Sequence, residues 1–264
     1  MSYRVVSLLT DFGSDDPFVG IMKGVILGIA PAVQVVDLTH AVPAQDIRTG
    51  ALLLRSAVGY FPEHTIHVAV VDPSVGSARR ALVIETAHGL LVGPDNGLLA
   101  PAAILLGQES VRAIENPAFL RHPVSQTFHG RDVFAPAAAH LARGAALTEI
   151  GPVVESIVDI DLPQARATAS SIDGEVLYVD RFGNLVTNIS AAMIDRFQGR
   201  ILSVSIATMQ ISGLAKSYAD VAPGMGLAIV GSSDLLEIAV RNGSAARQLA
   251  VGAGAVVRVW VGGR

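Results

Sequence analysis

The sequence predicts an α/β fold followed by a smaller all-β part: an N-terminal, mostly parallel sheet with helices on both faces, then an antiparallel β-barrel-like domain. Two observations point there. Apolar, β-branched runs alternate with capped helical stretches as far as Val71, the pattern of a parallel sheet covered on both faces. After Pro163 the texture changes to short, turn-punctuated strands, the pattern of an antiparallel sandwich or barrel. With 264 residues, 51% hydrophobic and 16% charged, the chain has ample core for one large domain or two smaller ones.

The elements follow in order. Arg4 to Thr10 is a continuous apolar run and reads as a buried strand. Asp16-Pro17 reads as a helix start, with the acid at the N-cap and proline at the first helical position, and the helix runs to Ala30 before Pro31. Val33 to Leu38 is the next strand, Asp46 caps a second helix through Val58, and Thr65 to Val71 is the third strand. Ala81 to Thr86 and Leu90 to Val92 form a hairpin across His88-Gly89. A dense turn at Gly93-Pro94-Asp95-Asn96-Gly97 precedes a short helix, and Asp132 to Ala142 is an alanine-rich helix. The domain division is 1–163, a small polar linker at 164–171, and 172–264. Strands in the last part are expected at Glu175–Val179, Leu185–Ile189, Ile201–Ile206, Leu227–Val230, Leu235–Val240 and Val256–Val261.

Composition narrows the function. A net charge of −4 without a basic block argues against a nucleic-acid partner. With no cysteine, disulfides, thiolate metal sites and a cysteine nucleophile are excluded. The N-terminal apolar stretch is short and interrupted at Asp11, unlike a signal peptide, and no run of apolar residues is long enough to span a bilayer. A cytoplasmic protein without a membrane partner is the expectation.

Five segments carry candidate chemistry. Asp11 sits at the carboxyl end of the first strand and Asp72 at that of the third, the edge where open α/β sheets place their ligands. A carboxylate only accepts hydrogen bonds, which suits a vicinal diol such as a ribose. Asp15 and Asp16 read equally as acids stabilising a helix start. Arg79 follows Asp72 by seven residues; the two form either a turn salt bridge or half of a site. His129 lies in a loop before a helix, flanked by Gly130 and the Arg131-Asp132 pair, and of the histidines it has the most site-like surroundings. His67 and His88 read as structural. Phe182 and Asn184, in Asp180-Arg181-Phe182-Gly183-Asn184, offer a stacking face and an amide that suit a purine. Gly231-Ser232-Ser233-Asp234 reads as a hairpin turn or a binding loop. No Walker-type loop, dinucleotide fingerprint or helical histidine pair is present.

Together the segments resemble the S-adenosyl-L-methionine hydroxide adenosyltransferases, relatives of fluorinase and chlorinase. The matching pieces are Leu9-Thr10-Asp11-Phe12-Gly13, Val36-Asp37-Leu38-Thr39-His40, Val71-Asp72-Pro73-Ser74-Val75-Gly76, Gly93-Pro94-Asp95-Asn96-Gly97-Leu98, Thr127-Phe128-His129-Gly130-Arg131-Asp132, Asp180-Arg181-Phe182-Gly183-Asn184 and Leu236-Glu237-Ile238-Ala239-Val240. The resemblance implies hydrolysis of S-adenosyl-L-methionine to adenosine and L-methionine. It implies a homotrimer with substrate held between the first domain of one subunit and the second domain of its neighbour. It puts the water-activating triad on Asp72, Arg79 and His129, the ribose diol on Asp11, and the adenosine or methionine end on Phe182 and Asn184. It puts the amino-acid end on Asp180 and the adenine segment on Ser232, Glu237 and Val240. No metal or cofactor is implied; S-adenosyl-L-methionine is the substrate. Asp234-Leu235 stands where relatives often carry Gly-Tyr, a departure in the adenine segment.

The chemistry suits such residues. The sulfonium leaves as a neutral thioether, so what the reaction lacks is an aimed nucleophile, and water, with a pKa of about 15.7, is a poor one. Positioning supplies several kcal/mol, up to about 7–11 in the best intramolecular cases. A halide beside Asp72, at ~4 Å and an effective dielectric of ~20, would be opposed by about 4 kcal/mol, which favours water. The alternatives are a halogenase of the same substrate, a metal-dependent phosphohydrolase built on Asp11, Asp15, Asp16 and Asp95-Asn96, and a non-catalytic adenosine or S-adenosylmethionine sensor.

Overall fold

The structure, a computed structural model, describes residues 3–197 and 202–261. It divides into two compact units, one ending at Asp161 and one beginning at Leu162.

The first unit contains β1 (Val5–Thr10), α1 (Phe18–Ile29), β2 (Gln34–Thr39), α2 (Ile47–Val58), β3 (Thr65–Val70), β4 (Ala81–Thr86), β5 (Gly89–Pro94), α3 (Ala100–Leu106), β6 (Gln108–Ala113) and α4 (Ala135–Ala142). The sheet order is β2-β1-β3-β5-β4-β6. The first four strands in that order run parallel, and β4 is antiparallel to both its neighbours. Successive strand residues point to opposite faces. Val6, Leu8, Val68 and Val70 pack against α1 and α4, while Leu9, Ala69 and Val71 pack against α2 and α3. That two-sided burial is why β3 is buried at every position and shows no polar alternation.

Two local expectations are corrected. Asp16 does not cap α1; the N-cap is Pro17, whose carbonyl accepts from the Ile21 amide at 2.9 Å. The helix expected from Asp132 begins earlier, with a π-turn over Gly130–Phe134. Pro136 has no amide hydrogen to give to the Asp132 carbonyl, which accepts instead from the Arg121 amide at 2.9 Å. Asp46 does cap α2, accepting from the Thr49 amide at 3.0 Å. The β4–β5 hairpin forms, with β5 running further than expected, to Pro94.

The second unit contains β7 (Arg166–Ala167), β8 (Ser171–Val179), β9 (Leu185–Ser190), α5 (Ala191–Asp195), β10 (Leu202–Ile206), β11 (Met209–Ser212), β12 (Gly226–Val230), β13 (Leu235–Val240), α6 (Ala245–Leu249) and β14 (Val256–Val261). The antiparallel order is β11-β10-β14-β8-β9-β13-β12. A bridge between Ala215 and Ile229 brings the two ends together into a nearly closed barrel. The stretch expected as a linker at 164–171 is not plain connection: β7 pairs with the start of β8. Ile201, expected to open a strand, lies outside the described residues. Strands β6 and β11 were not foreseen. Both are edge strands with several exposed positions, so neither presents a continuous apolar run.

Candidate active site

The parallel register of β1 and β3, with Thr10 opposite Val70, sends Asp11 and Asp72 out of the same sheet edge. Beyond β3 the chain turns through Pro73 to Gly76. Gly76 has φ +79°, and a Cβ there would stand 2.3 Å from the Gln126 carbonyl oxygen. This close approach sets the turn after Asp72 against the loop that carries His129.

Asp72, Arg79 and His129 meet there. The Arg79 guanidinium grips Asp72, with Nε 3.0 Å from Oδ2 and 3.1 Å from Oδ1 and Nη2 also on Oδ2. Both side chains are nearly sealed, Arg79 at 8% and Asp72 at 4% exposure. The buried Phe134 ring lies under the guanidinium, 5.2 Å from Cζ to the ring centre. Nη2 also lies 2.7 Å from His129 Nδ1. A guanidinium only donates, so Nδ1 is the acceptor, and the His129 proton sits on Nε2. Burial and then the Arg79 charge hold the imidazole below its ordinary pKa, while Asp72 and Asp132 pull the other way. His129 is therefore a neutral imidazole presenting an N–H donor.

The neighbouring acid of that loop is fully buried and shapes the backbone. Asp132 accepts from Arg131 Nε and Nη2 at 2.7 Å each, from the Ser125 amide at 2.9 Å and from Arg121 at 3.3 Å. Burial alone would raise its pKa; the bonds from Arg131 and Ser125 more than offset that and hold it low. Arg80, adjacent to Arg79, faces elsewhere. It binds Asp95 and the Ser156 carbonyl, while Asp95 also accepts from the Val158 amide. Asp95 is thus used in tying loops together. Among the described residues no group of three His, Asp or Glu side chains could hold a metal ion, so the acids Asp11, Asp15, Asp16 and Asp95 assemble no cation site.

Asp11 accepts from the Gln45 amide at 2.7 Å and keeps further acceptor capacity. The loop after it is braced from β2. Gly13 donates to the His40 carbonyl at 2.9 Å, and His40 Nδ1 lies 2.9 Å from Thr10 Oγ1, which accepts from the Phe12 amide at 3.2 Å. Asp37 sits 2.9 Å from His40 Nε2. That nitrogen has no aligned hydrogen-bond partner, so the contact is one of charge rather than of direction. Lys23 pairs with the other oxygen of Asp37 at 2.6 Å.

In the second unit, Asp180, Phe182, Asn184, Ser232, Glu237 and Val240 all line one cavity of about 910 Å³. Asp180 folds its own loop. Its Oδ1 accepts from the Phe182 and Asn184 amides and its Oδ2 from Asn184 Nδ2, each at 2.8 Å. That geometry leaves the Phe182 ring 77% exposed. Asp234 and Leu235 do not line the cavity, and its second aromatic ring comes from Tyr218, which the sequence reading missed. Tyr218 opens a 3₁₀ turn capped by Ser217 and Asp220, and Arg241 holds that turn through the carbonyls of Ala219 and Val221. The Ser-x-x-Asp capping box at 217–220 was the one local signal available.

A buried Asp–Arg–His cluster at the edge of a mostly parallel sheet, with a barrel-like unit carrying an aromatic and acid-lined cavity, defines a two-unit α/β-plus-barrel enzyme class. Residues 6–151 match the SAM hydroxide adenosyltransferase N-terminal domain, and residues 174–258 match the C-terminal domain of the same description. The chain belongs to the SAM hydroxide adenosyltransferase family. It is 44% identical to an (R)-S-adenosyl-L-methionine hydrolase of Salinispora tropica over 97% of this chain and 98% of the relative. It is 42% identical to the protein of that name from Salinispora arenicola, over 97% and 98%. A crystal structure of an uncharacterized conserved protein from Thermotoga maritima superposes with a TM-score of 0.91 at 34% identity, over 97% of this chain and 99% of that one. Fluorinases are more distant; one from Actinoplanes is 26% identical over 82% of this chain and 83% of its own length.

Proposed function

We propose that this protein hydrolyses S-adenosyl-L-methionine to adenosine and L-methionine, by attack of water at the ribose C5′ in line with the C–S bond. The observation that carries the reading is the sealed Asp72–Arg79–His129 cluster, in a chain of this family. Asp72 accepts a hydrogen bond from the water and takes its proton as the new C–O bond forms. Arg79 keeps Asp72 and His129 in place. His129 offers Nε2–H to the attacking oxygen as charge develops on it. The C5′–S bond breaks with its electron pair staying on sulfur, so methionine leaves neutral and no acid is needed there. The substrate already carries its leaving group, and no cofactor enters the scheme. The relatives are named for the (R) configuration, and we assign the same sulfonium epimer to this chain.

Asp11 holds the ribose diol. Asp180, Phe182, Asn184, Ser232, Glu237 and Val240 surround the adenosine and amino-acid ends. The catalytic cluster lies in one unit and the cavity in the other, so the reaction needs both. The reading places them together across subunits of a homotrimer, in the cytoplasm. Mixing Asp72→Asn with Asn184→Ala chains should then restore activity to neither parent's level but to a third or less of the unmodified rate; no recovery, or a monomer by light scattering, overturns the trimer.

The test of the reaction is incubation of each sulfonium epimer in ¹⁸O-water. Adenosine labelled at the 5′ oxygen, formed from the (R) epimer, is the expected product. Unlabelled adenosine, or 5′-chloro- or 5′-fluoro-adenosine formed faster in halide, would overturn the reading.

A further inference from the structure

Strand β13 alternates. Leu236, Ile238 and Val240 enter the barrel core, while Ala239 packs on the other face with Leu227 and Ile229, beneath Ala215 and Val221. Glu237 belongs to that second face and is 8% exposed. A buried acid in apolar surroundings needs hydrogen-bond partners. Its Oε2 has one, the Tyr218 hydroxyl at 3.0 Å. Among the described residues nothing donates to Oε1, although Glu237 lines the cavity. Its position is set by Gly231, where a Cβ would stand 1.8 Å from Oε1. Tyr218 stays a donor because burial and Glu237 push its pKa up to about 12.

We infer that Glu237, held by Tyr218, selects the base of the substrate: Oε1 accepts a hydrogen bond from the exocyclic amino group of a 6-aminopurine, and a 6-oxopurine is rejected. The inference rests on the reading that the adenosine end enters this cavity. A carboxylate accepts and does not donate. Against a 6-oxo group two acceptors would face each other with no proton between them, in a site where neither reaches water. Tyr218 is a positioning residue in this scheme, since it acts through Glu237.

The experiment compares kcat/KM for S-adenosyl-L-methionine with that for its deaminated form, S-inosyl-L-methionine. The unmodified protein should prefer the amino form by at least about 100-fold. In Glu237→Gln the amide can present either its oxygen or its NH₂, and the preference should fall below about tenfold. Tyr218→Phe should lower the preference too, and provides the test if Glu237→Gln does not fold. Hydrolysis of both substrates at similar rates, or a preference that survives both substitutions, overturns the inference while the hydrolase reading stands. If the protein does not hydrolyse S-adenosyl-L-methionine at all, that reading fails, and calorimetric binding of adenosine against inosine decides the inference separately. A preference for adenosine that is lost in Glu237→Gln supports it, and equal binding overturns it.

Discussion

Replacing Arg79 by methionine keeps the length and apolar stem of the side chain and removes its charge. In the native protein that guanidinium binds both oxygens of Asp72 and donates to His129 Nδ1. Asp72, at 4% exposure, would be left as an unpaired buried carboxylate. Breaking such a pair from one side costs about 3–5 kcal/mol. At about 2–4 °C per kcal/mol for a domain of this size, melting should fall by on the order of 10 °C. A second effect has a definite sign. The Arg79 charge is the second cause, after burial, of the lowered His129 pKa, while Asp72 and Asp132 act to raise it. Without Arg79 only burial opposes the two acids, so the His129 pKa should rise and the imidazole should take its proton at a higher pH. The assay is calorimetry for the melting point and an NMR titration of the His129 ring. A variant melting within about 2 °C of the parent, or a His129 pKa unchanged or lowered, would refute the assignment of Nδ1 as acceptor and Arg79 as the group that holds it.

Arg80→Met should separate the adjacent arginines: melting should fall because Asp95 loses its buried partner, while kcat should stay within about threefold; a collapse of kcat with unchanged melting would move Arg80 into the site. Gly76→Ala forces a side chain into a left-handed position and against the Gln126 carbonyl, at a cost of about 1–3 kcal/mol, and should lower kcat by displacing His129 from Arg79; an unchanged rate would show that the two loops are not coupled. His67 is buried against Ser7, and burial depresses its pKa from 6.5 to about 4. The unfolded chain binds the proton more readily, so His67 contributes its stability in full above pH 6.5 and loses it as pH falls toward 4. At about 1.4 kcal/mol per pH unit the loss reaches about 3 kcal/mol. Melting points from pH 7.5 to 4.5 should therefore fall more steeply in the parent than in His67→Asn, and parallel slopes would disprove the assignment.

The alternation of elements in the first unit was readable because each strand is a continuous apolar run and Asp46 caps its helix with its own side chain. The strands of the barrel were readable from turns. The edge strands β6 and β11 were not, because a strand with one exposed edge carries polar residues that look like loop. Asp16-Pro17 misled for a related reason. An acid before a proline has the composition of an N-cap, but whether its oxygen turns back onto the helix depends on the path of the preceding loop, here bound to His40.

By itself the sequence determined that Asp11 and Asp72 end parallel strands, and hence share an edge, because that depends only on periodicity and the direction of crossover connections. It also supplied the residue types of the cavity. Tertiary structure alone decided which of two adjacent arginines serves Asp72, since both have the same local context and differ only in what lies across the fold. It decided that His129 is a donor, because the tautomer is set by a guanidinium fifty positions away in the chain. And it brought Tyr218 to Glu237 by folding a capped turn over the outer face of β13, a pairing that no period of a helix or strand encodes.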